Sequence, residues 1–393
     1  MSDTIRATRR SFTGGGIGAA LLLSPMGPAS QIPDAHAQAQ GRNPDARTQA
    51  PARTSALVEK INANTLMILT AGSGLTYGPM AADLATVLND GDNLRILPVQ
   101  GHSAFLNVRD VRYLRGVDMG FIQSNLLGHY RRKGLIGDLA EKIVYVVKIC
   151  NNEIHIIARG GIKSVEELRG KKVNFNQVDS GAQVSAQDLF GYLGIEVQEV
   201  NLRQNDALEM LKNGEIAATI ALAGKPAPAV TKLKAKDGYR ILAVPYDNRM
   251  AGDFLPVTFT HEDYPDLIAE GQTVDTVASG SILIAYNWPK NTDRYRRIDK
   301  FVKAFFPRLA EFQKPPRHEK WKDTVLAAGL PGTKRFEGAE EWIRQQLEAN
   351  LEGRREEFQK FLVTRNVSGR GAALPESERN RLFEEFLKWS GRN

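Results

Sequence analysis

The stretch Val173-Asn174-Phe175-Asn176-Gln177-Val178-Asp179-Ser180-Gly181-Ala182-Gln183 reads as a strand that runs out into small polar residues and then opens a helix. A helix entered this way directs several unpaired backbone N–H groups, together with the positive end of its dipole, at one point. Such a point favours an anion. Two similar constructions precede it, Ala71-Gly72-Ser73-Gly74-Leu75-Thr76-Tyr77 and Gln100-Gly101-His102-Ser103. Repeated strand–turn–helix units of this kind constrain the chain to an α/β fold, with the turns gathered at one cleft.

The order of elements supports this. Residues 65–70, 94–99 and 117–122 read as strands, separated by helical patterns over 79–88 and 104–114. That alternation implies a parallel sheet with right-handed crossovers. Two β-rich segments, 143–149 and 153–158, are separated by Asn151-Asn152 and read as the passage into a second domain. There the alternation resumes: helix 164–168, strand 172–175, helix 183–193, strand 196–200, helix 206–213, strand 217–221, helix 228–234 and strand 239–244. The apolar run 276–286 reads as one long strand returning to the first domain. From about residue 293 the chain is helical, and Ile298, Phe301, Val302, Phe305 and Phe306 have the spacing of a helix face packed on that domain. Two crossings predict two domains joined by a hinge, with a cleft between them.

The ends read differently. Thr8-Arg9-Arg10-Ser11-Phe12, a weakly apolar run over 14–23 and Ala35-His36-Ala37 have the layout of a twin-arginine export signal. Cleavage after Ala37 would lower the net charge of +7 by one. A soluble periplasmic protein is therefore expected. The expected organisation is a signal peptide over 1–37, a flexible segment over 38–60, domain I over 61–150, domain II over 151–270, a return segment of domain I over 271–335, and a helical extension over 336–393. The single cysteine, Cys150, excludes an internal disulfide, and no Cys/His spacing suits a metal. The modest positive charge, without a basic stripe interleaved with aromatics, argues against nucleic acid.

Four pieces carry a family resemblance. They are Gly72-Ser73-Gly74 with Tyr77 and Pro79; Asn107 with the run Leu114 through Gln123-Ser124; Ile162 through Val173 leading into Ser180-Gly181; and Asn213-Gly214-Glu215-Ile216-Ala217-Ala218 followed by Ala223-Gly224-Lys225-Pro226-Ala227-Pro228-Ala229. Over roughly residues 62–310 the chain resembles the TAXI solute-binding receptors of tripartite ATP-independent periplasmic (TRAP) transporters. The resemblance implies a type II periplasmic-binding fold, two α/β domains closing on a cleft, and a small carboxylate as ligand. It implies transporter membrane subunits as partner. Gly78, His102 and Asn125 depart from the family's usual Tyr, Gly and Asp, so the family's ligands do not transfer.

The candidate ligand residues sit on the turns and strand ends. Gly72, Ser73 and Tyr77 form the first turn, with glycine for close backbone approach and Tyr77 as a wall with a polar tip. His102 and Ser103 head the second helix, where Ser103 also reads as a plain N-cap. Gln123, Ser124 and Asn125 end a strand. Asp179, Ser180, Gly181 and Gln183 form the third turn. Lys225, after a strand, is either a charge partner for an anion or a solvated lysine. Catalysis is not expected. Gly72-Ser73-Gly74-Leu75-Thr76-Tyr77-Gly78 misses the dinucleotide fingerprint, Phe105 breaks a nucleophile elbow, and no P-loop occurs. No cofactor is expected. A sensor passing its ligand state to a signalling partner is the alternative to a transport receptor, and an exported enzyme is a third.

Overall fold

The computed structural model describes residues 44–71 and 76–364, together with 377, 381, 382, 385 and 386. The expected signal peptide, Gly72, Ser73 and the Gly-rich stretch 366–373 lie outside the described residues. The sheets, cores and candidate site all lie within residues 55–393.

The helices are α1 Pro44–Ala63, α2 Tyr77–Leu88, α3 Ala104–Tyr113, α4 Asn125–Arg132, α5 Leu139–Lys142, α6 Gly181–Leu193, α7 Gln204–Lys212, α8 Asp293–Phe305, α9 Leu309–Phe312 and α10 Glu337–Thr364. The strands are β1 Thr65–Thr70, β2 Arg95–Gln100, β3 Met119–Gln123, β4 Ile143–Ala158, β5 Lys172–Asn174, β6 Gln198–Val200, β7 Ala218–Ala223, β8 Arg240–Leu242, β9 Leu255–Thr260 and β10 Thr273–Tyr286. The chain is thus helical from Pro44, where the composition predicts an irregular segment. The helix expected over 228–234 is a series of turns closed by Val230 N–H on Ala227 O and Leu233 N–H on Val230 O.

Strand pairing defines the class of fold. In the first half, β2, β1 and β3 are parallel, β10 runs antiparallel against β3, and β4 lies antiparallel beyond it. In the second half, β6, β5 and β7 are parallel, β4 runs antiparallel against β7, and β8 lies antiparallel beyond it. Each half therefore has the order second, first, third, returning strand, fourth. The returning strand of each half is borrowed from the other. This double use of β4 and β10 is the type II periplasmic-binding fold, α/β in class.

Both strands are long enough to serve two cores. β4 is buried on both faces along nearly its whole length, with apolar runs on either side of a polar centre. Its first part lies in the core of the first half with Phe121, Ile282 and Phe301. Its second part divides two cores of the second half. Ile154 and Ile156 face α6 through Ala186 and Leu189, while Ile157 packs with Phe259 and Tyr264. The five residues predicted for the α8 face are all buried in the first core, Ile298 and Phe301 among them.

Asn151-Asn152 does not break the strand. Asn152 is buried and donates to Ser281 Oγ at 2.6 Å and to Tyr77 Oη at 3.1 Å, so tertiary hydrogen bonds outweigh its low strand preference. A bulge lies just before it. Ser281 pairs with Cys150, but the next residue of β10, Ile282, pairs with Lys148, leaving Ile149 as the extra residue.

Candidate functional site

Two places between the halves hold polar groups that the fold does not satisfy. The first is the seam where α4 meets α6. Ser180 caps α6, its Oγ accepting Gln183 N–H at 3.0 Å, and Gln183 Oε1 accepts Asp179 N–H at 2.7 Å. This reciprocal cap explains the spacing of Ser180 and Gln183. It also holds Asp179 in a left-handed backbone (φ 58°), which Asp tolerates better than most residues. Gln183 Nε2 is spent on Glu199 Oε1 at 2.6 Å.

Opposite this helix start is Gln123, at the end of β3. Its side chain lies against Gly181 so closely that a Cβ on that glycine would stand 2.2 Å from Gln123 Oε1. Gln123 is only 8% exposed, and Oε1 has no hydrogen-bond partner among the described residues. Asn125 is fully buried beside it and ties the halves together: Nδ2 donates to Ser185 Oγ of α6 at 2.9 Å, and Oδ1 accepts from Ser279 Oγ at 2.7 Å. Ser124 is bound on both sides, its N–H donating to Gly280 O and its Oγ accepting Gly280 N–H.

Farther along α4 the seam is ionic. His129 Nδ1 is 2.9 Å from Asp188 Oδ1, and Arg132 reaches Asp253 at 2.5 Å. Arg132 is also 2.8 Å from Asp188 Oδ2, but off the line of a hydrogen bond, so that contact is a charge contact alone. Tyr192 donates to Asp253 at 2.9 Å. Val184 of α6 inserts into the core of the first half.

The second place is a cavity of about 490 Å³ at the crossing strands. Lys148, Cys150, Asn151 and Glu153 of β4 line it, with Lys225 and Asp263 of the second half and Lys320 and Asp323 from the segment before α10. Most of these charges are mutually satisfied. Lys225 Nζ donates to Asp263 Oδ2 at 2.9 Å and to Thr258 O at 2.7 Å. Lys320 Nζ donates to Lys225 O at 2.8 Å and to Asp323 at 3.1 Å. Glu153 Oε2 accepts Lys225 N–H at 2.8 Å, and burial pushes its carboxyl above the ordinary range. Lys148 differs, because its ammonium meets no acceptor among the described residues, and burial lowers its pKa. Asn151 is also unsatisfied, with a buried Oδ1 that has no partner among the described residues.

The remaining predicted residues fall as follows. Tyr77 is buried, stacked on Phe121 at 5.2 Å, with its hydroxyl between Ser281 and Asn152. Burial raises its pKa well above the phenol range. It is a buried, hydrogen-bonded support rather than an open wall. His102 and Asp179 are exposed, and Ser103 is buried as the cap of α3, accepting Leu106 N–H at 3.1 Å. Lys225 lines the cavity with its ammonium already paired. Lys148 and Asn151 were not expected. The signal that could have found Lys148 is a lysine inside the otherwise apolar run 143–150.

A fold whose halves share two crossing strands, with unsatisfied polar groups at the crossing, defines a two-lobed protein with a candidate site between the lobes. By sequence the chain belongs to the NMT1-like family, whose model matches residues 68–342. Among solved structures it is similar to the periplasmic aliphatic sulphonate binding protein SsuA from Escherichia coli. The two are 18% identical over 63% of this chain and 70% of that one, with a TM-score of 0.38. It is also similar to a histidine-bound substrate binding protein of an ABC uptake transporter from Streptococcus pneumoniae, at 14% identity over 65% and 92% with a TM-score of 0.39. An ancestral arginine-binding protein bound to arginine matches at 15% identity over 66% and 98%, with a TM-score of 0.40. Among the described residues no cluster of three or more His, Cys, Asp or Glu suits a metal, and no helix is long and apolar enough to cross a membrane.

Proposed function

We propose that this chain is an extracytoplasmic solute receptor. It captures a small anionic solute between its two lobes and presents the closed form to a membrane transporter. The observation that carries this reading is the Lys148 ammonium, which has no partner among the described residues in a cavity where the other lysines are matched. A partly buried cation without a partner is unfavourable, and a bound anion relieves that cost. Lobes of roughly 61–150 with 271–335, and 151–270, would close about β4 and β10. The seam residues Gln123, Asn125, Ser180 and Gly181 meet in the closed form.

The finer points rest on the sequence. The twin-arginine layout favours folding before export to the periplasm. The Lys148 ammonium favours a carboxylate, and the resemblance to TAXI receptors favours TRAP-type membrane subunits. No residue arrangement calls for catalysis or a cofactor. The test is a thermal-shift screen of residues 38–393, stripped of co-purified ligand by denaturation and refolding, against small acids, amino acids and neutral solutes. Ligand at about 100 times its Kd should add about 2.7 kcal/mol, several degrees of melting shift. A shift confined to acids supports the reading. A shift with neutral solutes alone, or with nothing, overturns it.

A further inference from the structure

We infer that residues 317–328 form a strap, fixed at both ends to the first lobe, whose Lys320 clasps the second lobe and gates the cavity. The clasp stands on contacts within the chain, and only its consequence for a solute rests on the receptor reading above.

Both ends of the strap are anchored. At its start, Asp83 of α2 accepts His318 N–H at 2.8 Å and Trp321 Nε1–H at 3.0 Å, with Arg317 3.4 Å away. Trp321 is fully buried in the first core, its ring 5.5 Å from Phe305 and 5.0 Å from Phe312. At its end, Arg335 donates to Leu326 O at 2.6 Å and to Ala328 O at 2.9 Å, and its guanidinium lies over the Tyr145 ring of β4. Tyr145 belongs to the same core. A segment held by a buried indole and by a guanidinium on its carbonyls moves with the first lobe rather than on its own.

Between the anchors, Lys320, Asp323, Val325 and Ala328 line the cavity, and Lys320 crosses to the second lobe. Its Nζ donates to Lys225 O at 2.8 Å and to Asp323 at 3.1 Å. Its stem lies on Gly224. A Cβ there would stand 2.3 Å from Lys320 Cε and 3.1 Å from Cδ, so only a glycine leaves the lysine its seat. Gly224 is not in the left-handed region, and its backbone does not itself require glycine. Lys225 is in turn wired into its own lobe, its N–H on Glu153 and its ammonium on Asp263. Lys320 is only 13% exposed, and a charged hydrogen bond shielded in this way is stronger than one in open solvent. The strap cannot swing while its anchors hold. The cavity therefore opens on this side when the second lobe draws Gly224 and Lys225 O off Lys320, and a solute enters and leaves through that step.

The chain carries its own probe of this gate. Cys150 is its only cysteine, lines the cavity and is 2% exposed. The experiment is the rate at which N-ethylmaleimide modifies Cys150, followed by mass spectrometry at about pH 8. The refolded chain, with no solute added, is compared with Lys320→Met and Gly224→Ala. Each variant should react at least about tenfold faster than the parent, because one loses the donor and the other the seat. The sign is diagnostic for Lys320→Met. The Lys320 ammonium favours the Cys150 thiolate, so its loss without opening would slow the reaction. Labelling in urea below the unfolding midpoint separates a gate from general destabilisation. A rate that rises far less steeply than the unfolding equilibrium reports local opening, whereas one that climbs in step with it overturns the inference. A rate equal to the parent's in either variant also overturns it. Should Lys320→Met fail to fold, Gly224→Ala, which keeps the charge, carries the same readings. None of these outcomes depends on a solute, so the receptor reading stands or falls separately, by the thermal-shift screen.

Discussion

Lys225 and Lys148 illustrate how little a side chain's identity says without its partners. Both are lysines at the cavity, yet one is held by a carboxylate and a carbonyl while the other has nothing to bind among the described residues. Replacing Lys225 by Met should therefore act mainly on stability. Loss of a charged hydrogen bond between groups 30% and 16% exposed should cost about 1–2 kcal/mol, read as a lower urea midpoint. Acid affinity should fall far less than with Lys148→Met, and the reverse order would show that Lys225 is the ligand's charge partner. His155 offers a test of a different kind. Its Nδ1 faces Glu153 O at 3.0 Å and its Nε2 faces Tyr264 Oη at 2.5 Å, while that hydroxyl accepts Ala227 N–H. The Glu153 carbonyl places a proton on Nδ1, and with burial disfavouring a charged ring the Tyr264 O–H donates to Nε2 and the ring is neutral. Burial holds its pKa down at about 4, against 6.5 when free. Because the folded value is depressed, its contribution is complete above about pH 6.5 and is lost as the pH falls toward and through 4. Across that window the loss is on the order of 3 kcal/mol. His155→Gln should be less stable at pH 7 and should show a shallower fall in melting temperature between pH 6.5 and 4.5. Parallel curves for the two proteins would mean that His155 does not set the acid slope.

Helix α6 and strand β4 mark what could be read from the sequence. The polar run before Gln183 announced the helix start correctly because capping is local: Ser180, Gln183 and the left-handed Asp179 are within five residues of one another. The same locality gives Gln183 a role that needs no ligand. Gln183→Ala should therefore destabilise by about 1–2 kcal/mol through the lost cap and the lost bond to Glu199, measurable by chemical denaturation. An unchanged midpoint would mean that the cap is made elsewhere. Strand β4 was legible only in its halves. Its two apolar runs were evident, but Asn151-Asn152 reads locally as a turn. The groups that hold it extended, Tyr77 and Ser281, are 75 and 129 residues from Asn152. The bulge at Ile149 is a register shift against β10, and no local pattern encodes a register with a strand more than a hundred residues away. For this reason the architecture was readable while the charged centre of the cavity was not. Alternation of elements is written along the chain, whereas the pairing that frees Lys148 and occupies Lys225 exists only once distant segments meet.

At the scale of the whole molecule, the seam between α4 and α6 is where closure would be held. Arg132 stands on the first lobe and reaches Asp188 and Asp253 on the second, with His129 on Asp188 and the buried Asn125 on Ser185 beside it. None of these groups lines the cavity, so they can bias the lobes without touching a solute. A receptor that binds by closing gains apparent affinity from anything that favours the closed form. Arg132→Gln removes the charge facing two carboxylates, and Asp253, only 5% exposed, then keeps Tyr192 as its donor but no cation. The ligand-free protein should expand, seen as a larger radius of gyration by small-angle scattering. Its affinity for whichever acid it binds should fall several-fold, while saturating acid returns the radius to that of the parent. Since Arg132 is 40% exposed, solvent screens part of the effect, and a several-fold change rather than a thousandfold one is the expectation. A variant with unchanged radius and unchanged affinity would show that the seam is fixed packing within one rigid body. Site access would then have to come from movement of local loops instead of the lobes.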